Sequence, residues 1–400
     1  MSSLALSPPA PPLAQTTAAS RPRAELGTGS GQGPDSAAGT ASRTSGPWIV
    51  SARQDLIWFH GSVLAGLLLL AVFAWAPRLS DASYAPGHAA VLALLCWGVL
   101  FDGTHVWGTY ARSYLAVDPT SRLGLPGRWS LALVLLGPAL AVIDAWLPQR
   151  PSLLGHAGWL FQNFLLVAYL WAYWHLVRQH YGFLVLYQRK AIGRRPIDAR
   201  VDVALLWTGC LYPYLRFSLS PAYLRSGLPV VLPEAFLPQL RMALDVAAAL
   251  VLGTLIGAVV LRLRRVRPGP PELLLAIVIG FTALVFSVLD NLLTITAVLT
   301  IFHNLQYHRI VWQYERGHGR IPSGSLRRYL GLGVLLGLIW YGPRILGVAM
   351  VPAGLFRNML LGLGWGVALH HYFIDGRIWR VRRHTAVAQV LDAGAKASPA

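Results

Sequence analysis

Long apolar runs alternate with short polar or basic connections along this chain, and the run lengths predict the elements. An apolar run of roughly 18 residues or more is long enough to cross a bilayer as a helix. Ten are read, at about Ile57–Ala76, Ala89–Tyr110, Trp129–Leu147, a run of about 30 residues from Gly158, then Val201–Leu219, Met242–Leu261, Glu272–Leu289, Leu292–Tyr314, Tyr329–Met350 and Leu355–Phe373. The fourth spans about 45 Å at 1.5 Å per residue, so it tilts or projects beyond the lipid. Pro213 predicts a kink or early end in the fifth. Asp290 and Asn291 divide a stretch too long for one crossing, as a tight turn would. The predicted fold is all-α, a polytopic transmembrane bundle of about ten spans.

The flanks read differently. Residues 1–48 are rich in Pro, Ala, Ser and Gly and have too few large apolar side chains to offset the entropy of ordering, so they are expected to be disordered. They lack the basic start and apolar core of a cleavable signal, while a transit peptide stays open. Residues 384–400 read as a flexible tail, leaving 49–383 as the transmembrane domain.

Composition strengthens this picture. The chain is 55% hydrophobic and only 12% charged, against roughly 25% charged for a soluble protein. The net charge of +18 sits in short loops rather than in a nucleic-acid-binding domain, which excludes nucleic acid as a partner. Basic clusters at 112–128, 189–200, 262–267, 316–328 and 377–383 fall on one side, whereas Arg78, Arg150, Arg216, Arg225, Arg241 and Arg357 stand mostly alone on the other. The positive-inside bias then places both termini in the cytoplasm, in a multi-pass protein of a bacterial inner membrane. Cys96 and Cys210 lie in apolar runs and offer no disulfide framework.

Histidine changes the functional picture most. His60, His105, His175, His180, His303, His308, His370 and His371 all fall near the cytoplasmic ends of five spans, in one layer. Lipid gives an imidazole no partner, so such a layer calls for an internal one. Neutral imidazole suits iron, zinc, copper and nickel, and the cluster is large enough for one or two ions. His175/His180 and His303/His308 share an H-x4-H spacing, which directs the two rings of each pair about 140° apart on an α-helix, unless a π-bulge or helix end narrows that angle. His370 and His371 diverge by about 100°. Asp102, Asp375, Asn304, Gln179 and Gln306 lie close enough to accept or donate behind metal-bound rings. Arg178 and Arg309 are candidates for an acidic substrate group, or for snorkelling to the interface.

These histidines resemble those of the membrane-bound, histidine-rich non-haem iron desaturases and hydroxylases. The H-x4-H pairs match one of that class's cluster types, and His370-His371 match the paired end of another. Val367 and Ala368 stand where that second type carries a further His or Gln, and the class has about four spans. The resemblance implies one or two irons on the eight histidines and an oxidation of a lipid or other hydrophobic substrate. It also implies electrons from a cytoplasmic redox protein, for which the basic loops offer a docking face. A mononuclear four-histidine iron site, as in membrane carotenoid-cleaving oxygenases, is a variant of this reading. Two other classes stay open: a transporter of metal ions or protons, with Asp245, Asn163, Gln162 and Arg344 as path candidates, and a lipid acyltransferase using one histidine as base.

Overall fold

Local signals set where the helices begin. Asn291 caps one helix, its side-chain oxygen accepting from the Leu293 and Thr294 amides at 3.0 and 3.2 Å. Gly269 precedes Pro270, and the Glu272 carboxylate reaches back to the Gly269 N–H at 2.9 Å. Ser51 accepts from the Gln54 amide at 3.3 Å at a third start. The computed structural model describes residues 46–75, 88–114, 125–147, 159–191, 194–226, 228, 233–317 and 326–379. Most of the expected N-terminal tail and all of 384–400 lie outside the described residues.

Among these residues the fold is all-α, with no strand. The long helices are α1 (Ala52–Trp75), α2 (Val91–Ser113), α3 (Gly127–Trp146), α4 (Trp159–Lys190), α5 (Pro196–Ser218), α6 (Leu237–Leu263), α7 (Pro270–Val288), α8 (Leu292–Gly317), α9 (Leu326–Met350) and α10 (Leu355–Ile378). Six of them, α1 to α4, α6 and α7, are long and apolar enough to cross a membrane. α8 and α10 are comparably long but carry the polar side chains described below. Large side chains such as Leu64, Leu68, Leu135, Met242, Leu250 and Ile339 are exposed, as suits a bundle facing lipid rather than water.

Two sequence expectations about helix shape resolve differently. α5 runs through Pro213 and ends only at Ser218, so the proline neither stops nor divides it. The two π-helical turns occupy Leu56–His60 and Gly98–Asp102, in α1 and α2. α4 and α8 stay α-helical across both H-x4-H pairs. The rings of each pair therefore keep their wide divergence.

The main core gathers apolar side chains of α1, α4, α5, α7 and α8, including Phe59, Leu184, Leu206, Val285 and Phe302. A smaller one joins α3, α4 and α10 through Ala141, Phe164, Ala168 and Trp365. Glycine lets two pairs of helices meet backbone to backbone. Gly137 of α3 faces Gly362 of α10, and Gly103 of α2 faces Gly337 of α9, with no room for a methyl group at any of the four. On α10, Gly362 and Gly366 form a G-x3-G pair whose second member lies against the Val134 carbonyl. Where α5, α6 and α7 begin or end together, Arg194 and Arg262 pair with Asp202 and Glu272. These seams hold α2, α4, α8 and α10 around a common interior.

Candidate metal centre

That interior contains four imidazoles from four helices. His105 of α2, His303 of α8, His175 of α4 and His371 of α10 form a closed ring, with successive ring-centroid separations of 4.8, 6.1, 5.4 and 4.6 Å. All four are buried. The Nε2 atoms of His105 and His371 are 2.8 Å apart, so two nitrogens already face one another.

A second polar layer lies one helical turn further along. Thr109, Gln179, Tyr307 and Asp375 stand four residues after His105, His175, His303 and His371, on the same helix faces. Asp375 is their hub. Its Oδ1 accepts from Thr109 and Tyr307, each at 2.8 Å, and its Oδ2 accepts from Gln179 at 3.0 Å. Oδ2 also lies 3.5 Å from His371 Nε2 and 3.8 Å from His175 Nε2. The layer thus turns a carboxylate toward the imidazole ring and fixes it there by neutral donors. A buried carboxylate costs several kcal/mol unless a cation answers it, and its ion-pair neighbours are these two histidines.

His105, His175, His371 and Asp375 together could hold a metal ion: one donor atom from each lies within 4.8 Å of the others. Donors about 2.1 Å from a shared ion lie at most about 4.2 Å apart, so only a small contraction is needed. His303 borders this group. Both its ring nitrogens are buried without a protein partner, and its ring borders a cavity shared with Asp102, His105, His175, Asn304 and His371. Leaving such a group unmatched costs about 1–3 kcal/mol. The Nδ1 atoms of His105 and His371 are unmatched in the same way. A buried donor set of neutral imidazoles, with one carboxylate and unmatched nitrogens, fits a transition-metal ion.

The other four expected histidines are not brought into the ring. His180, five residues beyond His175, packs on Phe302, with its centroid 6.2 Å from that of His303. His308 points to α2 and α9, meeting Thr104 Oγ1 at 2.9 Å and Tyr329 Oη at 3.3 Å. His370 turns away from its neighbour toward Tyr110 and Tyr114, at 2.9 and 3.1 Å. His60 meets the Asp55 and Pro270 carbonyls at 3.0 and 3.3 Å, between Trp48 and Tyr187. For His308 and His370, hydroxyls partner both ring nitrogens, whereas the neutral His60 ring donates to one of its two carbonyls.

The expected supporting residues also divide. Gln179 and Asp375 stand behind the ring, as above. Asp102 accepts from Asn304 Nδ2 at 3.2 Å at the cavity edge. Gln306 instead donates to the Phe59 carbonyl at 2.7 Å, because its face of α8 packs on α1. Arg178 lies over the Trp174 ring, and Arg309 bonds Gln54 and Gln313. Thr109 and Tyr307 are not among the residues singled out from the sequence. The signal for both was a polar residue four places after a histidine.

Comparison with protein-family models, curated proteins and solved structures finds no match to this chain.

Proposed function

We propose that this chain is an integral-membrane, metal-dependent oxidoreductase that oxidises a C–H bond of a lipid or other hydrophobic substrate. The single observation that carries this reading is the ring of four buried imidazoles backed by Asp375. In this reading His105, His175, His371 and Asp375 hold one iron, and His303 lines the same cavity with both ring nitrogens unmatched. Three neutral donors keep that carboxylate in place.

Iron at this position would supply activation of dioxygen. Hydroxylation consumes dioxygen, two electrons and two protons, inserts one oxygen into C–H and releases one water; desaturation uses the same inputs, removes two hydrogens and releases two waters. The electrons come from a one-electron carrier protein docking on the basic loops. The buried walls exclude bulk water, and His105, His175 and His371 each hold a donor nitrogen within 4.8 Å of the others. Ten membrane crossings with both termini in the cytoplasm, in a bacterial inner membrane, complete the proposal.

Support for this reading comes from the donor set together with the resemblance to the histidine-rich desaturases and hydroxylases. A transport reading has less behind it, since Asp245 pairs with Arg216 at 2.9 Å on a partly exposed surface instead of extending a polar path. An acyltransferase reading leaves three ring histidines without a role. Elemental analysis of detergent-purified protein tests the proposal. About one iron per chain is expected, lost together with activity in His371→Ala; folded, active protein without iron would sink it.

A further inference from the structure

α6 and α7 are consecutive helices of membrane length, so the loop that joins them, residues 264–269, lies at a membrane surface. A loop this short normally closes a hairpin whose two arms pack together. These arms do not. Each packs along α5, and among the described residues they form no comparable seam with one another. They meet only beside the loop, where Arg262 Nη2 lies 3.0 Å from Glu272 Oε1. Beyond that point they part, leaving an apolar wedge open to the bilayer with α5 as its floor. Along its 27 residues α6 buries only Leu237, Ala248 and Arg262. Methyl groups added at Gly253 and Gly257 of α6, or at Gly280 of α7, would meet no atom within 4 Å.

The closed end of the wedge carries surplus positive charge. Arg194 and Arg262 between them answer Asp202 and Glu272, and Arg195 answers Asp198 at 2.9 Å. Each carboxylate of this corner is therefore matched. Arg200, Arg264, Arg265 and Arg267 remain, all exposed and with no acidic partner among the described residues. Such charges repel one another unless an anion answers them. Val266, 53% exposed, stands among the last three, as suits the boundary between headgroups and acyl chains. Arg327 and Arg328, at the start of α9, are exposed as well, but α9 packs along both α2 and α10. Exposed arginine and a missing helix seam coincide at α6 and α7.

We propose that one anionic phospholipid occupies this wedge, with its phosphate on Arg264, Arg265 and Arg267 and its acyl chains between α6 and α7. Guanidinium groups match phosphate in charge and in the geometry of paired hydrogen bonds. A zwitterionic lipid brings its own cation into the same surplus of positive charge and is disfavoured. The chains supply the apolar contact that the two helices do not make with each other, so the lipid ties α6 to α7. The histidine centre draws on α2, α4, α8 and α10. The lipid site is thus separate from it, and the proposed oxidation has no bearing on whether it exists.

Native mass spectrometry of the full-length protein in detergent tests this, with dioleoyl phosphatidylglycerol and dioleoyl phosphatidylcholine titrated in parallel. One phosphatidylglycerol per chain is expected at concentrations where phosphatidylcholine leaves none. Arg264→Gln, Arg265→Gln and Arg267→Gln together should weaken retention about a hundredfold, since each arginine at a membrane surface contributes roughly fivefold. The three Arg→Lys changes keep the charge and should cost only a few-fold. Arg265→Gln alone, expected to cost about fivefold, carries the test if the triple variant fails to fold. Arg327→Gln with Arg328→Gln should change nothing. Phosphatidylglycerol with a diazirine in its acyl chain should label peptides of α6 and α7 together. Equal retention of the two lipids, or equal losses at the two arginine clusters, would reduce the wedge to a general basic surface and overturn the proposal. Displacement of the lipid by glycerol phosphate at equal concentration would assign the arginines to a soluble phosphate ester instead. A lipid-free dimer would assign the wedge to a second copy of the chain.

Discussion

His60 and His371 are both buried, at 2% and 1% exposure, yet their surroundings differ in kind. His60 lies between two backbone carbonyls, and its one N–H donates to one of them. His371 meets another imidazole and a carboxylate, and its Nδ1 has no protein partner. Burial is therefore no guide to function here; the identity of the partner is. A backbone carbonyl takes the one N–H of a neutral imidazole, while an imidazole and a carboxylate together present donor atoms that a single cation can share. The same contrast separates His370 from His371, adjacent in the chain and turned to different neighbours.

The largest effect that would sharpen this contrast is loss of metal. His371→Ala and His105→Ala are each expected to reduce bound metal to background in elemental analysis while the protein still elutes as a folded species. Retained metal in both would break the distinction outright. Asp375→Asn keeps the shape of the hub but removes its charge, and should weaken metal binding roughly 10–100-fold in a chelator competition. His60→Ala should leave metal content unchanged and lower the thermal midpoint, at a cost of about 1–3 kcal/mol for the bonds lost. Metal loss on that substitution would place His60 in the same category as His371. Tyr307→Phe is the smallest: Oδ1 keeps Thr109, so metal affinity should fall only a few-fold, with a stability loss of about 1 kcal/mol.

Much of the scaffold was legible because apolar run length is a direct signal for membrane-length helices. Long helices occupy each of the ten stretches, and the turn at Asp290-Asn291 appears as a cap on α8. The gathering of histidines at one level was legible from their distance to the run ends. The wide divergence within each H-x4-H pair was legible too, and it separates His175 from His180 and His303 from His308. Helix adjacency was not. No spacing rule says that α2 and α10 place His105 against His371, since that contact depends on the glycine seams joining α3 to α10 and α2 to α9. The partners of His60 were hidden for another reason: they are backbone carbonyls, which every residue possesses. The hub around Asp375 was partly visible, since Gln179 and Asp375 were read as standing behind histidines, but Thr109 and Tyr307 joined it only once the helices were placed together.

The four ring histidines are drawn from positions 105 to 371, so the centre spans most of the chain's synthesis. α10, which supplies both His371 and Asp375, is the last of the long helices described to leave the ribosome. A nascent chain holding α2, α4 and α8 carries three ring histidines but no hub carboxylate. A metal held by the whole donor set would therefore be loaded only after α10 is made. An ion present at a thousand times its dissociation constant would favour the assembled bundle by about 4 kcal/mol. A chain truncated before α10 would receive none of that stabilisation.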